Sequence, residues 1–162
     1  MINIIAAITK NRGLGLKGEL LIHNPEDLKE FKRLTSNPKS TIVCGRKTYE
    51  SLPKIVQDRV KYVLSTNPSK EKEVTLNDLK KSILFCDDVW VLGGGEIYKK
   101  FIEENLADRI YLTIFDENLD ADTFFPEIPE DKYACKIITY FKTFKRKVYE
   151  LKNKTNRVAN SD

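Results

Sequence analysis

Val89-Trp90-Val91-Leu92-Gly93-Gly94-Gly95 decides the fold of this chain, because an apolar run enters three glycines and leaves them, from Glu96 on, as a helical pattern. Four consecutive apolar residues suit a strand buried on both faces. The glycines then put bare backbone at the carboxyl end of that strand, where ligands of open α/β sheets bind. Such backbone lets a diphosphate reach N–H groups at a helix N-terminus, whose dipole favours anions. Tight turns use the same residues, so the triplet alone leaves both readings open.

Outward from this junction the same alternation repeats. Apolar runs at 2–8, 41–44, 61–64, 89–92 and 109–115 read as buried strands, and helical patterns at 25–35, 47–51, 76–85 and 96–104 fall between them. Strand–helix–strand order predicts an α/β domain whose central sheet is largely parallel, with about eight strands flanked by four helices. After Pro126 the pattern changes. Segments 133–141 and 146–151 are strand-like around a polar turn at 142–145, which predicts a terminal antiparallel hairpin on one edge. The domain is expected to span 1–153, with 154–162 as a frayed tail.

At 162 residues and 41% hydrophobic, the chain can bury a core without staples. Its first residues alternate like a strand and carry no basic leader, and no run approaches the length of a membrane span, so a soluble, cytoplasmic protein is expected. Three widely spaced cysteines and one histidine, His23, form no disulfide framework and no metal-ligand pattern. Of 28 basic and 24 acidic residues, seven and two lie in 142–162, leaving 21 and 22 elsewhere. The body is therefore nearly neutral. The basic terminus lacks a groove-reading motif, and no nucleic-acid partner is expected.

The start of the 25–35 helix carries an unusual acid. Asn24 suits an N-cap, Pro25 the first helical position, and Glu26 and Asp27 the positive helix end. At 3.6 residues per turn, Asp27 shares the inward face with Leu28 and Phe31, while Lys29, Glu30 and Lys32 point mostly to water. An inward acid either closes a capping interaction or meets a partner.

Two further strand ends are polar. Thr41 to Cys44 run into Gly45-Arg46-Lys47-Thr48, two cations and a hydroxyl suited to a phosphate monoester, and Val63-Leu64 end in Ser65-Thr66. Three such ends in one small sheet suggest a dinucleotide lying across its edge. The spacing does not match Gly-x-Gly-x-x-Gly, so this is not the standard dinucleotide fold.

These residues resemble the dihydrofolate reductases from Met1 to about Pro126. The matching pieces are Ile5-Ala6-Ala7, Gly15, Pro25-Glu26-Asp27-Leu28 with Phe31-Lys32, Gly45-Arg46-Lys47-Thr48 with Glu50-Ser51, Arg59, Gly93-Gly94-Gly95 with Ile97-Tyr98, Tyr111-Leu112-Thr113 and Asp122-Thr123-Phe124-Phe125-Pro126. The resemblance implies reduction of 7,8-dihydrofolate to tetrahydrofolate with NADPH as hydride donor, in one-carbon metabolism, by a monomer. It implies Asp27 as the ionisable group at the pterin, promoting protonation of N5, with Thr113 behind it. Phe31, Leu28 and Leu52 would contact substrate, Ile5 and Leu92 would offer carbonyls beside the pterin, and Arg59 would hold the glutamate tail. Ala7 would hold the nicotinamide carboxamide. Arg46, Lys47, Thr48, Ser65 and Thr66 would surround the 2′-phosphate side. Leu14, Gly15, Gly45, Leu64, Gly93, Gly94, Gly95, Glu96, Ile97, Tyr98 and Thr123 would line the remainder of the cofactor. No metal is implied.

The chain departs from the family pattern in three places. Leu21-Ile22 replaces the Pro-Trp that most relatives carry before the helix, and Ile22 cannot hold the ordered water that the indole holds near the pterin, a partner worth about 1 kcal/mol. Glu96 stands where some bacterial relatives are basic, and the turn at 142–145 is shorter than the bacterial hairpin connection, which leaves its reach to the mobile loop before the helix open. Two alternatives stay open: the pyrimidine reductase of riboflavin synthesis, which shares the fold but lacks counterparts of Asp27 and Arg59, and a non-catalytic nucleotide-binding or assembly protein.

Overall fold

A computed structural model describes residues 1–153; the expected tail at 154–162 lies outside the described residues. In chain order the elements are β1 (Ile2–Thr9), β2 (Gly13–Leu16), β3 (Glu19–Leu20), α1 (Pro25–Leu34), β4 (Ser40–Gly45), α2 (Arg46–Ser51), α3 (Lys54–Gln57) and β5 (Val60–Leu64). They continue with β6 (Glu73–Val74), α4 (Leu76–Ser82), β7 (Asp88–Val91), α5 (Gly95–Glu103), β8 (Arg109–Phe115), β9 (Thr123–Phe124), β10 (Tyr133–Tyr140) and β11 (Phe144–Leu151). One eight-stranded sheet has the order β10-β11-β8-β1-β7-β4-β5-β6. Its strands from β8 through β1 to β6 run parallel, and β11 and β10 add the antiparallel edge.

Alternation along the strands builds a core on each face. Ile4, Ala6, Val43, Val89, Val91, Ile110 and Leu112 pack with Leu79, Phe101 and Ile102 of α4 and α5. Ile42, Cys44 and Trp90 face the other way, where Ile5, Phe31, Leu34, Tyr49 and Tyr111 pack against them. The inward stripe of α1 is therefore held against the same sheet face as Trp90, whose ring lies 5.1 Å from that of Tyr111.

The structure corrects the expected inventory of four helices. A fifth, the single turn of α3, follows Pro53, too short for a periodic signal. The helix expected over 76–85 stops at Ser82 and tightens into a 3-10 turn at Ile83–Phe85. A second sheet of order β3-β2-β9 was not expected either, since its strands hold two to four residues and two glycines. At the hairpin the turn is 141–143, and Lys145 already pairs with Tyr140. Among the described residues no helix is long and apolar enough to cross a membrane.

Candidate active site

Pairing between β1 and β7 ends at Ile4↔Val91, whereas β1 continues beside β8 to Thr9↔Phe115. Beyond that point, at the carboxyl ends of β1 and β7, a cavity of about 900 Å³ opens between Ile5, Ala7 and Leu92 on one side and α1 on the other. Ile22, Asp27, Leu28, Phe31 and Leu52 complete its wall, with His23 at the rim. This volume suits a drug-sized ligand. A longer groove of about 1440 Å³ adjoins it and shares Leu14, Leu92 and Tyr98 with it.

The start of α1 is shaped as its sequence predicts. Asn24 Oδ1 accepts the backbone N–H groups of Glu26 and Asp27 at 3.0 and 3.1 Å, a cap worth about 1 kcal/mol. That cap leaves the Asp27 carboxylate free to face the cavity. Burial pushes the Asp27 carboxyl above its usual range; a hydrogen bond with Thr113 and the charge of Arg146 oppose the rise, and Glu30 adds to it. Thr113 itself is buried on β8 and lines neither depression. It stands behind the acid.

Arg59 also lies outside both walls. Its Nη2 donates to the carbonyl and hydroxyl of Thr35 at 2.7 and 2.9 Å, and its guanidinium lies 5.7 Å from the Phe31 ring centre. These bonds hold a cation beside an aromatic wall residue at the end of α1, leaving other donors of the guanidinium for an anion. The Ile5 carbonyl, expected beside the pterin, already accepts the Tyr98 hydroxyl at 2.8 Å, so one of its two lone pairs is taken. Burial pushes the Tyr98 phenol up and keeps it a donor.

The groove gathers the other expected residues: Leu14, Gly15, Gly45, Arg46, Lys47, Thr48, Leu64, Ser65, Thr66, Gly94, Gly95, Glu96, Ile97, Tyr98 and Thr123. Gly93 is not among them. It is buried behind the wall at φ 117°, where a Cβ would meet the Tyr98 hydroxyl at 3.1 Å, and its carbonyl accepts the Gly45 N–H at 2.7 Å. Ala7 lines the cavity alone. No side chain caps the N-terminus of α5 at Gly94, and a Cβ on Gly95 would lie 3.2 Å from the Phe124 carbonyl. Gly95 is thus required by the close approach of β9, and the uncapped helix end lines the groove. Arg46 and Lys47 are exposed at its far end, with the Glu73 carboxylate in the field of Arg46.

Sequence reading missed the β2–β3 turn and the contact of the C-terminal hairpin. Gly18, Glu19 and Leu20 line both depressions, and the hairpin turn touches the cap of α1, with Asn24 Nδ2 3.4 Å from Thr143 Oγ1. Neither had a usable signal, because both depend on segments brought together across the fold.

The sequence profile of the dihydrofolate reductase family matches residues 1–157. Proteins named dihydrofolate reductase from Buchnera aphidicola and Haemophilus influenzae are 35% identical over 160 residues and 30% identical over 152 residues. These alignments cover 96% and 91% of this chain and 92% of each relative. One from Bacillus subtilis is 32% identical over 138 residues, covering 82% of this chain and 80% of the relative.

Proposed function

The chain belongs to the dihydrofolate reductase family, and from that premise we propose how its residues divide the work and that the hydride donor is NADPH. The enzyme reduces dihydrofolate to tetrahydrofolate. The pyrimidine reductase and assembly alternatives are set aside with that. A nicotinamide cofactor follows from the family; the phosphorylated form rests on the groove.

The residues present fit NADPH. The uncapped α5 N-terminus on the groove wall suits a diphosphate, and Arg46, Lys47, Thr48, Ser65 and Thr66 suit the additional phosphate with cations and hydroxyls. When bound, the nicotinamide supplies the hydride that adds to C6 of the substrate's C6–N5 double bond. The chain's own part is to hold the pterin and assist the proton that must reach N5.

The observation that carries this reading is the half-buried Asp27 on the wall of an otherwise largely apolar cavity, its carboxyl raised by burial and backed by Thr113. A carboxylate there accepts hydrogen bonds from the amidine edge of the pterin and favours the protonated ring. Thr113 fixes its orientation. Phe31, Leu28 and Leu52 exclude water from the ring, Ile5 and Leu92 offer carbonyls, and Arg59 pairs with the tail carboxylate. Ile22 lines the cavity without a donor, so water near N5 is held by fewer partners. We extend the same reading to a cytoplasmic monomer with 1–153 as its catalytic unit; one chain lines both depressions, so neither site needs a residue from a second copy.

Absorbance of the reduced cofactor, followed with and without dihydrofolate, tests the proposal. Loss of NADPH only when dihydrofolate is present, faster than loss of NADH, is expected. Equal use of the two cofactors would overturn the phosphate assignment.

A further inference from the structure

Arg146 lies on β11, two strands from β1, and the chemistry above does not use it. It is nonetheless buried, its side chain being 10% exposed, and its Nη1 donates to Glu30 Oε2 at 2.8 Å across 116 positions of sequence. Glu30 also accepts Arg33 at 2.7 Å. Those two bonds hold the Glu30 carboxyl down at about 2, so it stays charged. The sequence pattern had turned Glu30 toward water.

Register brings this pair under the catalytic helix. Arg146 is the cross-strand partner of Thr113, so their side chains leave the same sheet face as neighbours. Glu30 lies three residues on from Asp27, one turn along α1. The Arg146 guanidinium rests 5.3 Å from the Phe141 ring centre, and its Nε has no hydrogen-bond partner among the described residues. Asp27, Glu30, Thr113 and Arg146 therefore form one polar layer between α1 and the sheet. The Thr143–Asn24 contact ties the same hairpin to the cap of the same helix.

We propose that Arg146, anchored by Glu30, is a positioning residue for the reduction: it pins the C-terminal hairpin to α1 and sets the field in which Asp27 takes up and loses its proton. The inference rests on the reading of Asp27 as the ionisable group at the pterin. The groups that face Asp27 are Glu30 on its own helix, Thr113 on β8, Arg146 on β11, the protonated Tyr98 on α5 and His23 at the cavity rim. Arg146 is the cation among those that act on the carboxyl, and Glu30 the anion.

A simple packing role and an electrostatic role part company in the pH profile of turnover, measured on the full chain with NADPH and dihydrofolate saturating. Turnover falls as pH rises through the apparent midpoint, because N5 needs a proton. Arg146→Met removes the cation and should move that fall to higher pH, raising the normalised rate on the alkaline limb by roughly two- to fivefold, as suits a partly screened charge. Glu30→Gln keeps an acceptor for Arg146 but removes the anion, and should move the fall the other way by a similar factor. Arg146→Lys should stay near the parent. Shifts of one sign in both variants, or none, would overturn the proposal, and Glu30→Gln decides it alone if Arg146→Met does not fold. In an Asp27→Asn background Arg146→Met should move nothing. If Asp27→Asn by itself keeps the parental profile, the underlying reading falls; if only the Arg146 and Glu30 variants keep it, the proposal falls alone.

Discussion

The cavity at Asp27 and the groove beside it are neighbours built on opposite physical principles. In the cavity one carboxylate sits among Ile5, Leu28, Phe31 and Leu52, where low polarity makes charge expensive and every neighbouring charge is felt. In the groove the charges of Arg46 and Lys47 stand in water, beside the hydroxyls of Thr48, Ser65 and Thr66 and the uncapped end of α5. Screening by water and salt weakens each such contact without abolishing it. On the reading proposed above, chemistry concentrates in the region with few polar groups, and affinity spreads over the region with many.

The largest effect that can break this contrast is at Asp27. Asp27→Asn should lower turnover by about 10²–10⁴ at neutral pH, with the remaining rate climbing steadily as pH falls, because the proton must then come from solvent. Stability should not suffer. The folded protein holds the Asp27 proton more tightly than the unfolded chain does, so ionisation above the unfolded pKa favours unfolding, and the amide removes that burden. Denaturant midpoints at pH 7 equal to or above the parent's are expected; near-parental turnover with an unchanged profile would reduce Asp27 to a helix-end charge.

A smaller, selective loss belongs to the groove. Arg46→Ala should weaken NADPH by about 1–3 kcal/mol and scarcely change NADH. Raising salt should shrink this difference, since Arg46 is exposed and shares its field with Glu73. Titration of both cofactors into both proteins at two ionic strengths measures it. Equal losses for the two cofactors would move the phosphate pocket elsewhere.

The smallest change sharpens the cavity side. Ile22→Trp, with Leu21→Pro alongside, should raise turnover at neutral pH by a few-fold, the worth of about 1 kcal/mol from one restored water partner. Leu21 does not line the cavity; its Cδ1 would lie 2.9 Å from a Cβ on Gly13, so its own replacement tests loop packing rather than the site. A double variant that folds and binds normally but turns over no faster would show that the loop holds its water by other means.

Much of the fold and most of the expected residues that line the two depressions were legible in residue order. The apolar runs at β1, β4, β5, β7 and β8, the capped start of α1 and the polar strand ends are signals written within a few neighbours, because periodicity, capping and helix dipoles act over one or two turns. They determined an α/β domain, an inward Asp27 and a glycine-lined groove. Only tertiary structure decided that Glu30 faces Arg146 rather than water, that Gly93 backs Tyr98 instead of lining the groove, that Tyr98 occupies the Ile5 carbonyl, and that β2, β3 and β9 make a second sheet. Each of these joins residues far apart in sequence, and each owes its geometry to strand register and burial, which no local pattern encodes.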